Sequence, residues 1–152
     1  MSDTPAAAAT SRATSDPNAV LTRLASQLRS EVEGMKRGLD IRMVTTFLDE
    51  RQACRVGASD WPAQWILDER IYLNTGDARP AAHALVARHA SEGWAVATLP
   101  AADGADEYTL RHDGFVIDIA AGREDGSLNI QTQAPCVESD GSVDDAPSPP
   151  AS

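Results

Sequence analysis

The side chains with chemistry to offer are few: two cysteines, three histidines and the acidic residues of one stretch near the C-terminus. Cys54 and Cys136 stand alone, with no Cys-x-x-Cys between them, so neither a dithiol redox centre nor a zinc site is expected. Two readings of the pair stand side by side. In an oxidising compartment they would bond, and a bridge over so long a loop would add roughly 4 kcal/mol in the chain-entropy picture. In a reducing one they would be two buried thiols. His83 and His89 are six apart in a helical pattern and point to different faces, and no His-Glu-x-x-His is present, so no metal is expected. Cys54 with His112 would make a nucleophile–base pair, which residue type alone suggests. Asp113 and Asp118 are the candidate acid and base. Asp113 belongs to a turn and Asp118 to an outward strand face, however, so solvation accounts for both. Trp61 and Trp65 flank Pro62 and read either as core anchors or as an aromatic platform for a sugar, a peptide or a partner. They are the candidate binding surface. No phosphate loop, dinucleotide fingerprint or nucleophile elbow appears, and DGSVDD at 140–145 lacks the spacing of a calcium loop, so no cofactor and no catalytic residue is assigned.

The elements that must position these residues centre on Asp106 to Gln131, DEYTLRHDGFVIDIAAGREDGSLNIQ. Asp113-Gly114 between alternating runs predicts a two-residue hairpin turn, because both central residues of a type I′ turn need positive φ. That turn pairs His112 with Phe115, Leu110 with Ile117 and Tyr108 with Ile119. Tyr108, Leu110, Phe115, Ile117 and Ile119 then face the core, while Thr109, Arg111, Val116 and Asp118 face out. The same rule at Asp125-Gly126 predicts Arg123 opposite Leu128 and Ala121 opposite Ile130.

Upstream, Asp16-Pro17 opens a helix with Asp16 as N-cap, and Val20, Leu21, Leu24, Leu28, Val32 and Met35 follow at helical spacing up to Gly38. Leu39 to Glu50 alternates and is read as a strand, with a further short strand expected over Gln52 to Val56 and a turn from Gly57 to Ala63. Trp65 to Leu73 is a strand whose inward set is spoiled by Glu69. A second helix over roughly Ala78 to Ser91 is capped by Asp77, carries Pro80 in its first turn and buries Ala82, Leu85, Val86 and His89. Trp94 to Leu99 is a strand leading through Pro100 to Ala105 into the meander. The order predicts an α+β two-layer sandwich: a mainly antiparallel sheet with a C-terminal four-strand meander and two helices on one face.

The chain has 152 residues and a net charge of −10. Such a charge repels phosphate backbones, so nucleic-acid binding is not expected. No run of about 20 apolar residues is present for a transmembrane segment. Residues 1–17 are mostly Ala, Ser, Thr and Pro with hardly an apolar anchor, and 138–152 carry acidic but no basic side chains. Both are expected to be disordered tails around a single domain at 18–137. Arg23 to Arg37 is a basic segment and Asp103 to Asp125 an acidic one. The solvated-surface reading of this asymmetry stands beside a docking face for a basic partner.

The helix from Val20 followed by Cys54, Gly93-Trp94 before a strand, DGFVIDI at 113–119 and Ala-Pro-Cys at 134–136 resemble small actinobacterial cell-envelope proteins, often lipoproteins, of uncharacterised function. The resemblance implies that Cys54 and Cys136 pair and that the domain lies outside the cytoplasm, joined to the membrane by a low-complexity tether; it carries over no catalytic residue. No lipobox cysteine or leader stands before Asp16, and the N-terminus as written points instead to the cytoplasm. The expected function is a non-enzymatic binding or accessory domain with a protein partner. The rival classes are a cytosolic acidic inhibitor or immunity-like protein blocking a basic site, and a small hydrolase using Asp118, His112 or Cys54.

Overall fold

The computed structural model describes residues 15–55, 57, 60–100 and 106–144. Among them two helices cover one face of a curled antiparallel sheet, the α+β two-layer arrangement the element order predicts. The chain runs α1 (Pro17–Lys36), β1 (Ile41–Ala53), β2 (Ala63–Leu73), α2 (Arg79–Ser91), β3 (Ala95–Pro100), β4 (Asp106–His112), β5 (Phe115–Ala121), β6 (Ser127–Gln133), β7 (Cys136–Val137) and β8 (Val143–Asp144). In space the order is β3-β4-β5-β6-β2, with β1 along the free side of β2. Strand β7 meets β2 through Val137 opposite Ala63, and β8 lies beside β7.

Asp16 caps α1 by accepting the Asn18 amide at 3.0 Å. The stripe Leu21, Leu24, Leu28, Val32 and Met35 is buried, as its spacing requires. One helix thereby spans two apolar clusters. Met35 joins Ile71, Leu85, Leu110, Ile117 and Ile130 under α2. Leu21, Leu24, Leu28 and Val32 pack on Ala63, Leu67, Ala134 and Val137.

The inward Glu69 has a partner on the helix layer. Lys36 Nζ stands 2.7 Å from its Oε1, and Thr46 donates its hydroxyl to Oε2 at 2.7 Å. A carboxylate on the apolar side of a sheet is tolerable only when a cation and a donor meet it.

Several sequence expectations need correction. Leu39 to Glu50 does contain a strand, but β1 continues through Gln52 to Ala53 rather than breaking before a second short strand. It also slips in register against β2 between Ile41 and Met43 and between Thr46 and Leu48. These slips carry Met43 and Thr45, and then Leu48 and Glu50, onto the same side as Tyr72 and Arg70, so simple alternation fails. At α2 the N-cap position is Ala78, which has no side-chain cap. Asp77 reaches in from one position earlier, taking the Arg79 amide at 3.0 Å and clasping its guanidinium. Those bonds hold the Asp77 carboxyl down at about 2.

The first hairpin has the expected register, His112 opposite Phe115 through Tyr108 opposite Ile119. Asp113 and Gly114 both take positive φ, 51° and 84°. The second hairpin is displaced by two residues: Ala121 faces Leu128 and Ile119 faces Ile130. The loop is longer because its backbone serves β2 and α2. Gly126 donates to the Gly76 carbonyl, Leu73 donates to Gly126, and Ala78 donates to Gly122, each at 2.9 Å. A Cβ on Gly126 would stand 2.1 Å from the Thr75 carbonyl oxygen. A shift of two keeps every side chain on its expected face.

The C-terminal boundary at 137 is also too early. Residues 138–144 fold back so that Val143 pairs with Val137 and Asp144 with Cys136. Glu138 donates to Ser142 at 2.8 Å, and Asp140 accepts the Ser142 amide and hydroxyl. Of the tails expected over 1–17 and 138–152, residues 1–14 and 145–152 lie outside the described residues, as do 101–105 of the loop and 58–59 of the turn.

Candidate functional site

Cys54 and Cys136 are bonded, with Cα atoms 6.3 Å apart. Cys54 follows the end of β1 and Cys136 opens β7, so the bond ties the β1–β2 hairpin to the strand that continues β6. A bonded sulfur is no nucleophile, which removes Cys54 from any pairing with His112.

Trp61 and Trp65 sit half-buried on the helix side, over the cluster beneath the first half of α1. The Arg51 guanidinium lies 4.6 Å above the Trp61 ring and that of Arg29 lies 5.2 Å from the Trp65 ring. Trp65 also donates its Nε1–H to Asp49 at 2.6 Å. Both rings are engaged on at least one face by cations of the chain itself.

The histidines are separate. His83 is exposed and meets Asp106 at 2.6 Å. His112 lies beside the Trp94 ring, 5.3 Å between centroids, and 3.3 Å from Asp113. His89 is fully buried, with Nδ1 2.8 Å from the Leu85 carbonyl and Nε2 3.3 Å from Glu31. Burial works against a charged ring, but the Glu31 carboxylate and the Leu85 carbonyl outweigh it and raise its pKa above 6.5. The His89 hydrogen bond in turn holds Glu31 below 4.5.

These two shifts set a pH window. The raised histidine adds stability that is complete below pH 6.5 and lost as pH rises through its folded value. The depressed carboxyl adds stability that is complete above pH 4.5 and lost as pH falls through its folded value. Denaturation midpoints should therefore be highest between these limits and fall on both sides. Glu31→Gln should flatten the alkaline decline, and an unchanged decline would assign it to another group.

The face of the sheet turned away from the helices carries a concavity of about 720 Å³. Its walls are outward residues of five strands and the disulfide: Leu99 of β3, Glu107, Thr109 and Arg111 of β4, Val116, Asp118 and Ala120 of β5, Asn129, Gln131 and Gln133 of β6, Gln64 of β2, and Cys54; Tyr108 and Ile119, whose side chains face the helices, also border it. Register explains the gathering. Thr109 lies opposite Asp118, Asp118 opposite Gln131, and Gln131 opposite Asp68. Thr109 donates its hydroxyl to Asp118 Oδ1 at 2.6 Å. Asn129 accepts the Arg70 Nε–H at 2.6 Å, and that guanidinium also lies 5.5 Å from the Phe47 ring. Asp68, on the same strand as Gln64 but outside the lining, has its pKa raised by burial. A flatter depression of about 710 Å³ between the helices is lined by Arg23, Arg37 and Arg88 together with Glu31 and Glu92.

Of the residues singled out from sequence, Cys54 and Asp118 meet at this groove, while Trp61, Trp65, His83, His89 and His112 do not line it. The carboxamides of Gln64, Asn129, Gln131 and Gln133 went unflagged. Their only signal is a shared outward parity, and polar outward residues are the ordinary condition of a half-exposed sheet. Among the described residues no three His, Cys, Asp or Glu side chains are grouped to hold a metal ion, and no helix is long and apolar enough to cross a membrane. Comparison with known proteins gives no match: no protein-family model, curated protein or solved structure corresponds to the chain.

Proposed function

We propose that the chain is a non-enzymatic binding domain that takes its ligand in the groove on the outer face of the sheet and works in an oxidising compartment, as an accessory protein of a cell envelope. The carrying observation is the groove itself. Its lining interleaves carboxamides, hydroxyls and a few charges with Leu99, Val116 and Ala120, a surface suited to holding a ligand with polar groups by many modest hydrogen bonds. The disulfide at the mouth supports the compartment, because such bonds persist where thiols are not kept reduced. Asp118 is the acidic residue a hydrolase reading would use. Its hydrogen bond from Thr109 supports a positioning or binding role over proton transfer.

A photoreactive residue placed at Gln131 tests the reading, with the same residue at Gln27 on α1 as control. In the organism that makes the protein, the groove position should give a discrete crosslinked product that the helix position does not. Equal labelling from both positions, or none from Gln131, would refute the groove as the binding face.

A further inference from the structure

We infer that the groove holds an extended polypeptide segment carrying a lysine or arginine side chain. The inference rests on the groove being the binding face and names what that face accepts. Asn129, Gln131 and Gln133 alternate along β6 and all face the groove. Alternate residues of a strand recur every ~6.8 Å, which is also the two-residue repeat of an extended chain laid beside it. A carboxamide offers a carbonyl acceptor and an N–H donor side by side, the same pair a peptide group offers. Successive carboxamides of β6 are therefore spaced to meet every second peptide group of such a chain. The side chains of Gln131 and Gln133 form no hydrogen bond within the described residues, so both are available.

The charges select the side chain. Asp118 lies directly opposite Gln131, at the middle of the groove. One of its oxygens takes the Thr109 hydroxyl and the other is unclaimed among the described residues. Glu107 lies two residues from Thr109 on the same strand face, and neither carboxylate has a cationic partner among the described residues. Arg111 lines the same groove, so its lining carries two carboxylates against one guanidinium; Arg70, which donates its Nε–H to Asn129, is not among the lining residues. A chain of net charge −10 also draws cationic segments from a distance. A glycan fits less well. Sugars are gripped by an aromatic ring against their apolar face, and the only ring among the lining residues, Tyr108, points to the helix side, edge-on to His83.

The test uses the full, disulfide-bonded chain labelled with ¹⁵N. The probes are a capped hexapeptide of serine and valine with one central lysine, the same peptide with a central glutamate, and chitotetraose. The lysine peptide should saturably shift the amides of Thr109, Asp118 and Gln131 and bind about ten-fold more tightly than the glutamate peptide. Asp118→Asn keeps an acceptor for Thr109 and should abolish that preference while leaving the spectrum of a folded domain. Equal binding of the two peptides, or a preference that survives Asp118→Asn, overturns the cationic-peptide assignment and leaves the groove as a binding face. Chitotetraose shifting the same amides in place of the peptides replaces the ligand class. Shifts elsewhere, or none from any probe, overturn this inference together with the groove reading.

Discussion

Ile117→Asp should leave the chain without a cooperative unfolding transition, whereas its neighbour Asp118→Ala should shift the denaturation midpoint by the equivalent of about 1 kcal/mol or less. Ile117 is wholly buried, with Leu110 on one side and Thr132 on the other. An aspartate there loses roughly 2–3 kcal/mol of apolar burial. It also places a carboxylate where no cation waits, a penalty of several kcal/mol more. The sum is comparable with the ~5–15 kcal/mol that hold a domain of this size together. Asp118, one residue on, points into the groove, and its removal takes one hydrogen-bond partner from Thr109. Urea denaturation followed by circular dichroism separates the two. Similar curves for both variants would mean that inner and outer faces of β5 are exchanged.

That contrast was legible from the amino-acid sequence because β5 sits in a hairpin closed by Asp113-Gly114. A two-residue turn with both residues at positive φ leaves one register, and local chemistry decides it. At Asp125-Gly126 the same local rule misplaces the pairing by two residues. The peptide groups that would close a tight turn instead bond to Leu73, Gly76 and Ala78, some fifty residues away in sequence. Face assignment survived, since a displacement of two restores parity. Glu69 shows the complementary case. Its inward position spoils the alternation of β2 until Lys36, on α1, is seen beside it. The acidic composition of the segment after Val137 predicts a tail. Composition averages away a single Val143 placed to pair with Val137 across a turn that Asp140 stabilises.

The groove belongs to the part that was not legible. Most of its residues, taken singly, are ordinary outward side chains of a half-exposed sheet. What makes them a site is the curl of the sheet and the alignment of Thr109, Asp118 and Gln131 across three strands: the first pairing follows from a local turn, but the second is set by loop bonds to Leu73, Gly76 and Ala78, and Gln64 comes from β2, far earlier in the chain. The candidate surface at Trp61 and Trp65 illustrates the opposite limit. Residue type pointed to the two rings, but the arginines lying against them come from β1 and α1, which no local pattern links to them.

Reduction of the Cys54–Cys136 bond should lower the melting temperature by roughly 10 °C, the second large effect expected of a simple change. The two residues are 82 apart in sequence, so the bond removes a large loop-closure entropy from the unfolded chain, worth about 4–5 kcal/mol in that picture. Their Cα separation of 6.3 Å lies within the ~4.4–6.8 Å that disulfides span, so the native backbone need not move to accept the bond. The effect should also be local. Strand β7 has two residues, follows Pro135, and is held by a single register pair to β2 and by the short β8. Without the bond its amides should exchange faster than those of β4 to β6, and the end of the groove at Cys54 and Gln64 should open with it. Scanning calorimetry of the oxidised chain, the chain reduced with a phosphine, and Cys54→Ser combined with Cys136→Ser measures the first effect; hydrogen exchange measures the second. Equal melting of all three forms, or free thiols in denatured protein that was folded under oxidising conditions, would show that the bond does not hold the domain. The oxidising-compartment reading would then lose the feature that supports it.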